Sequence, residues 1–220
     1  MVGKFKIPLI RTTDLRRHWD EIYKDKKTDQ LGWYEAYPEP SLRLIEKCRL
    51  PKGDAILIAG AGATTLVDFL LAEGYEYLIA TDISEVGLNE LKERLAPEQR
   101  EKVQWVVDDL TDPSVLPLPQ PVDLWCDRAV LHFFTESTQR ETYFRLVRQS
   151  VAPGGYVIIA AFHLEGADRC SGLPVYRYDE KMIAENLGDE FRLREWFLHD
   201  YTMPSGEERK YVYTLFQRKG

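Results

Sequence analysis

From residue 54 onward the chain alternates short apolar runs with segments of helical periodicity, and this constrains its fold more than any other feature. DAILIAG reads as a buried strand, ATTLVDFLLAEG as a helix ending at Gly74, YEYLIATD as a strand, and SEVGLNELKERLA as a helix capped by Ser84. KVQWVVDD and VDLWCD follow as strands, TQRETYFRLVRQSVAPGG as a helix closed by Pro153, Gly154 and Gly155, YVIIAAFH as a strand and DEKMIAENLG as a helix. Such alternation predicts an α/β fold, a doubly wound, mostly parallel sheet covered on both faces. The end differs. FRLREWFLHDY and KYVYTLFQR are joined by TMPSGEER, a link suited to antiparallel pairing, so a C-terminal hairpin is expected at one edge.

The N-terminal part is too small to be a domain. DLRRHWDEIYKD places Leu15, Trp19, Ile22 and Tyr23 near helical spacing, an aromatic-rich loop follows, and SLRLIEKC continues as a second helix. Residues 1–50 are expected to form a short helical cap on a core of residues 51–220, one domain in all. A length of 220 residues suits one sizeable core. The net charge of −7, with scattered Lys and Arg, disfavours nucleic acid as a partner. Cys48, Cys126 and Cys170 stand far apart without zinc-ligand spacing, and a sparse, odd cysteine count suits a reducing compartment. No apolar run approaches the roughly 20 residues that span a bilayer, and the apolar stretch in MVGKFKIPLIRTTD is too short for a signal peptide. The expectation is a cytoplasmic protein without membrane association, a monomer or weak dimer.

In open sheets of this kind, ligands bind beyond the carboxyl ends of the strands, where the strand order reverses. Four consecutive strand ends deliver loop glycines or acids there: Gly60 and Gly62, then Asp82, then Asp108, Asp109 and Leu110, then Asp127 and Arg128. Asp82 lies 20 residues past Gly62, the spacing at which an acid accepts hydrogen bonds from ribose hydroxyls. Asp109, in preference to Asp108, is placed to accept from an adenine amino group. A dinucleotide fingerprint would want a third glycine where Thr65 stands, which argues against a nicotinamide cofactor. Each element also has a plainer reading: a tight turn for the glycines, a helix cap for Asp82, solvated turn acids for Asp108 and Asp109.

IAGAGATTLVDFLL, YLIATDIS, WVVDDLTD and APGGYVIIAAF together resemble the class I S-adenosylmethionine-dependent methyltransferases over residues 15–217. The resemblance implies a seven-stranded sheet with its last strand inserted antiparallel. It implies S-adenosyl-L-methionine as cofactor, with Gly60 and Gly62 beside its methionine part, Asp82 on the ribose hydroxyls, and Asp109 with Leu110 near the adenine; Trp33, Ile83 and Asp127 are further candidates for cofactor contact. One departure stands out: the family's acid two residues before the first glycine is replaced by Ile58. Loop carbonyls or a polar residue from the cap would have to take up its role. HWDEIY with GWYEAYPEPSLRLI resembles elongation-factor lysine methyltransferases, whereas LWCDRAVLHFF with SGLPVYRYDEKMIAENLG resembles the thiopurine methyltransferase-like branch.

For the methyl acceptor, the polar candidates at the end of the fourth strand are Asp127, Arg128 and His132, with Phe133 and Phe134 as substrate walls or plain packing. His163, Arg169, Cys170 and Tyr176 follow, and Trp33, Tyr34 and Tyr37 of the cap can close over the cofactor. Asp127 and Arg128 read equally well as a structural ion pair. The fourth strand lacks the Asn/Asp-Pro-Pro-aromatic signature of base methylation, and no acid cluster suggests a metal. Three functions stay open: methylation of a small-molecule nucleophile, methylation of a protein lysine, and non-catalytic nucleoside binding. The partner is accordingly a small-molecule or protein methyl acceptor.

Overall fold

The computed structural model describes residues 12–220; the N-terminal stretch weighed above as a signal peptide lies almost entirely outside them. Five strands, β1 (Ala55–Ala59), β2 (Tyr77–Asp82), β3 (Val103–Val107), β4 (Val122–Arg128) and β5 (Val151–Phe162), run parallel to one another. A two-residue ribbon, β6 (Arg169–Cys170) with β7 (Leu173–Pro174), forms a separate small sheet that the sequence pattern did not reveal. β8 (Phe191–Thr202) and β9 (Glu208–Arg218) complete a seven-stranded sheet in the order β3-β2-β1-β4-β5-β9-β8.

All five residues of β1 are buried, as a central strand covered on both faces requires. Its side chains alternate between two cores with the period of a strand. Ile56 and Ile58 join α2 (Glu39–Cys48), α3 (Leu66–Ala72) and α4 (Glu85–Arg94) on one face. Ala55, Leu57 and Ala59 join α6 (Ser137–Ser150) and α7 (Glu180–Leu187) on the other; α5 (Pro97–Arg100) is a single turn before β3. The strand order runs outward in opposite directions from β1 and β4, so a crevice opens above their carboxyl ends.

The C-terminal strands refine the sequence reading. β9 slots antiparallel between β5 and β8, and only β8 forms the edge. The patterns explain the choice: Tyr211–Phe216 is an unbroken buried run, whereas β8 alternates exposed and covered residues along most of its length. Thr214, the polar residue inside that run, is satisfied by donating to the Ile159 carbonyl at 2.9 Å.

The cap is α1 (Thr12–Asp25) and the loop after it, lying over the carboxyl edge beside α4. Ser84 caps α4 by accepting from the Gly87 N–H at 3.1 Å. The same hydroxyl donates to Asp20 of α1 at 2.5 Å, so the helix cap also ties the lid to the core. No helix among the described residues is long and apolar enough to cross a membrane.

Candidate functional site

The crevice is a cavity of about 820 Å³, its open mouth included. Gly60 of the loop after β1 lines it, whereas Gly62 lies behind that lining. Gly60 and Gly62 take left-handed backbone angles, φ +62° and +40°, which disfavour any side chain. A Cβ on Gly60 would run into Val130, and one on Gly62 into the Tyr23 hydroxyl while lying 3.2 Å from Asp82 Oδ2. The close approach that two such glycines signal is therefore real, and Tyr23 of the cap is one of the groups that uses it.

Three acids at neighbouring strand ends have different fates. Asp82 is buried at the end of β2 and accepts the Ser84 N–H at 2.8 Å. Burial lifts its carboxyl to about 6, against the pull of the Ser84, Gly62 and Ile83 backbone N–H groups. Asp108 is consumed by its own loop: it accepts the N–H groups of Ser114, Val115 and Leu116 at 2.9, 3.0 and 2.9 Å. Burial opposes its charge, yet these donors hold its pKa below the usual value. Asp109 accepts from Thr111 with Oδ1 only, and its Oδ2 is buried with no partner among the described residues. An orphaned acceptor costs free energy unless a ligand donor meets it. Beside it, Ile83 and Leu110 give the cavity apolar walls. A ribose near Asp82 and an adenine amino group at Asp109 fit this chemistry.

The groups expected at the end of β4 divide. Arg128 borders the cavity, but Asp127 and His132 do not line it. Asp127 is fully buried on the α6 side, accepting the Val130 N–H at 3.1 Å and the Tyr143 hydroxyl at 2.5 Å. That hydroxyl accepts in turn from the Trp125 indole at 3.2 Å. Burial raises Asp127 to about 7. His132 is stacked on Phe162, its ring centroid 4.3 Å away, and burial followed by the charge of Arg128 drives it down to about 3. It is a neutral packing histidine near pH 7. Arg128 is nearly enclosed, donating to the Trp33 carbonyl and the Tyr213 hydroxyl at 2.9 Å each and pairing with Glu35 at 2.9 Å.

Aromatic rings roof the cavity. Trp19 meets Trp33 edge-on at 5.6 Å and Phe133 at 4.9 Å, while Tyr23 meets Trp33 at 5.8 Å. Phe134 and Cys170 also border the cavity. The remaining candidates lie outside its lining. His163 sits beside Glu165, Tyr176 stacks under Arg140, Arg169 donates to the Gly172 carbonyl, and Tyr37 is 58% exposed. Tyr34 contributes its carbonyl to the Tyr201 hydroxyl. Sequence reasoning passed over Leu15, Trp19 and Tyr23 as site residues, and did not single out Glu35 at all. The first three repeat every four residues, a stripe that reads as a core face but here covers the cavity.

The sign of the Asp127 shift gives a stability test. A carboxyl held above its unfolded value favours folding while protonated, and that contribution is lost as pH rises from about 4 through about 7. Asp127→Asn loses an acceptor but cannot ionise, so it should cost about 1–3 kcal/mol at pH 5, with a smaller gap at pH 8. Urea unfolding at the two values checks this; a gap that widens would mean the carboxylate is favoured when charged.

Comparison with known proteins agrees with the geometry. Residues 57–157 match the family model of a methyltransferase domain. A Bos taurus eEF1A lysine and N-terminal methyltransferase is 28% identical over 94 residues, which is 43% of this chain and 13% of that protein. The chain therefore spans only a small part of that relative. A solved S-adenosylmethionine-dependent methyltransferase from Anabaena variabilis superposes with TM-score 0.73 at 11% identity, covering 99% of both chains. The Burkholderia thailandensis 1,6-didemethyltoxoflavin-N1-methyltransferase, solved with 1,6-didemethyltoxoflavin and S-adenosylhomocysteine, superposes with TM-score 0.69 at 17% identity, covering 100% of this chain and 92% of that one. With its strand order, its glycine loop and the match over residues 57–157, the chain has the fold of the class I S-adenosylmethionine-dependent methyltransferases and carries a region similar to a methyltransferase domain.

Proposed function

We propose that the protein methylates a small-molecule nucleophile held between the glycine loop and the aromatic roof. The observation that carries this reading is the contact of Trp19 of the cap, itself edge-on to Trp33, with Phe133 after β4, which roofs the cavity. When bound, S-adenosylmethionine supplies an electrophilic sulfonium methyl for in-line attack by an acceptor lone pair. In this reading Gly60 and Gly62 border its methionine part, Asp82 and Ile83 its ribose, and Asp109 Oδ2 and Leu110 its adenine, with Trp33 above. The rings exclude water and fix the acceptor's orientation, and positioning of this kind is worth on the order of 7–11 kcal/mol for well-oriented reactants.

Among the described residues, the groups at the end of β4 supply no base for the acceptor. His132 is neutral and outside the lining, Asp127 is committed to Tyr143 and Val130, and Arg128 is cationic. The reading therefore favours an acceptor that arrives with its lone pair free, such as a thiolate or a weakly basic amine. Arg128 acts as a positioning group at the border of the site. A lysine, with an ordinary pKa of about 10.4, would need more help. The likeness to the eEF1A methyltransferase supports protein lysine methylation as the second reading. Cell extract incubated with methyl-labelled S-adenosylmethionine and the protein separates them: label in the small-molecule fraction is expected, and label confined to protein would overturn the first reading.

Asp82 carries a second test. As a carboxylate accepting ribose hydroxyls, its loss in Asp82→Ala should weaken S-adenosylhomocysteine binding by about 2–4 kcal/mol, about 30- to 1000-fold. Only the ionised form accepts from both hydroxyls, and the free protein takes up the proton near pH 6. Affinity measured by calorimetry should thus be flat above pH 6 and fall by up to about tenfold per unit below it. Unchanged affinity in the alanine variant, with a lowered melting point, would leave Asp82 a purely structural residue.

A further inference from the structure

We propose that Glu35, from the cap loop, is the acid of the cofactor's ammonium subsite, standing in for the carboxylate that the loop after β1 lacks at Ile58. This assignment rests on the cofactor reading above. Two small clefts of about 400 and 300 Å³, their open mouths included, border the glycine loop, and Glu35, Gly60, Thr64 and Arg128 line both. Ile58 lines the smaller one. Glu35 and the side chain it replaces thus face one space, beside the first glycine.

The position of Glu35 is built rather than incidental. Three consecutive cap carbonyls are held by three separate parts of the core: Trp33 by Arg128, Tyr34 by the Tyr201 hydroxyl, and Glu35 by Thr65 Oγ1 at 2.8 Å. Thr65 stands where a dinucleotide loop would carry its third glycine, and its hydroxyl is what holds Glu35 at the loop. The Glu35 side chain is only 10% exposed, and its carboxylate pairs with Arg128 at 2.9 Å. No hydroxyl or backbone N–H among the described residues donates to it. Burial raises its pKa, and Arg128 draws it back towards the charged form. A carboxylate so placed has acceptor capacity left for an ammonium group, and a charged hydrogen bond in an enclosed site is among the stronger ones available. Ile58 at the end of β1 and Thr65 in the loop then have one explanation: the acid has moved to the cap, and Thr65 holds it.

The test compares ligands and variants by calorimetry. The probes are S-adenosylhomocysteine, its desamino analogue that keeps the carboxylate, and 5′-methylthioadenosine, which lacks the amino-acid part. In the wild-type protein, removal of the ammonium should weaken binding about 10- to 100-fold. Glu35→Gln should weaken S-adenosylhomocysteine by a similar factor and leave 5′-methylthioadenosine within about twofold. Adding Ile58→Asp to Glu35→Gln should restore most of the lost affinity by returning an acid to β1. Equal wild-type affinity for S-adenosylhomocysteine and the desamino analogue would overturn the proposal, and needs no variant to fold. So would a folded Glu35→Gln protein with undiminished S-adenosylhomocysteine affinity. Both results leave the cofactor reading intact, whereas a wild-type protein that binds none of the three probes would end that reading and this proposal with it.

Discussion

The enclosed guanidinium of Arg128 is the point on which the arrangement of the site depends. Burying a charge is costly unless it is paired and hydrogen-bonded. The partners of Arg128 come from separate parts of the chain: Glu35 and the Trp33 carbonyl from the cap, and Tyr213 from β9. The rings of Tyr201 and Tyr211 lie 4.9 and 5.1 Å from it. The cap is therefore not a loose lid beside a finished fold. Lifting it would strand a buried cation, and the carbonyls of residues 33–35 are each tied to the core.

Around that point, one residue type takes four environments. Asp108 has spent its acceptors on the loop that follows it, and Asp127 has spent its own on Tyr143 and Val130. Asp109 keeps one buried oxygen free, and Asp82 keeps a carboxyl that titrates near pH 6 at the cavity wall. What an acid can do here follows from the hydrogen bonds its own chain has left it. The ribose and adenine assignments fall on Asp82 and Asp109 for that reason.

Much of this was legible in the residues. The alternation from residue 54 marks each main strand and helix, because a strand buried on both faces needs a continuous apolar run such as AILIA. That Gly60, Asp82 and Asp109 would meet at one crevice was legible because strand–helix junctions gather at one edge of such a sheet. The order of the last two strands was expected from the family resemblance, since a hairpin link says nothing about which strand lies outermost; the unbroken run of β9 against the alternation of β8 accords with it. The fate of Asp127 and His132 could not be read, because neighbours at a strand end turn in different directions and their partners are distant in sequence. Glu35 was hidden for the same reason: its meaning depends on Ile58, Thr65 and Arg128, which only the folded chain brings together. Trp19 and Tyr23 carried a helical stripe, but periodicity alone does not say whether a stripe covers a core or a cavity.

The most direct measurement is a calorimetric titration of the wild-type protein with S-adenosylhomocysteine and, separately, with NAD. The orphaned Asp109 oxygen, the Asp82 carboxyl and the loop held by Thr65 predict saturable one-site binding of S-adenosylhomocysteine and none of NAD. NAD binding more tightly than S-adenosylhomocysteine would contradict the reading of the crevice as a methyl-donor site.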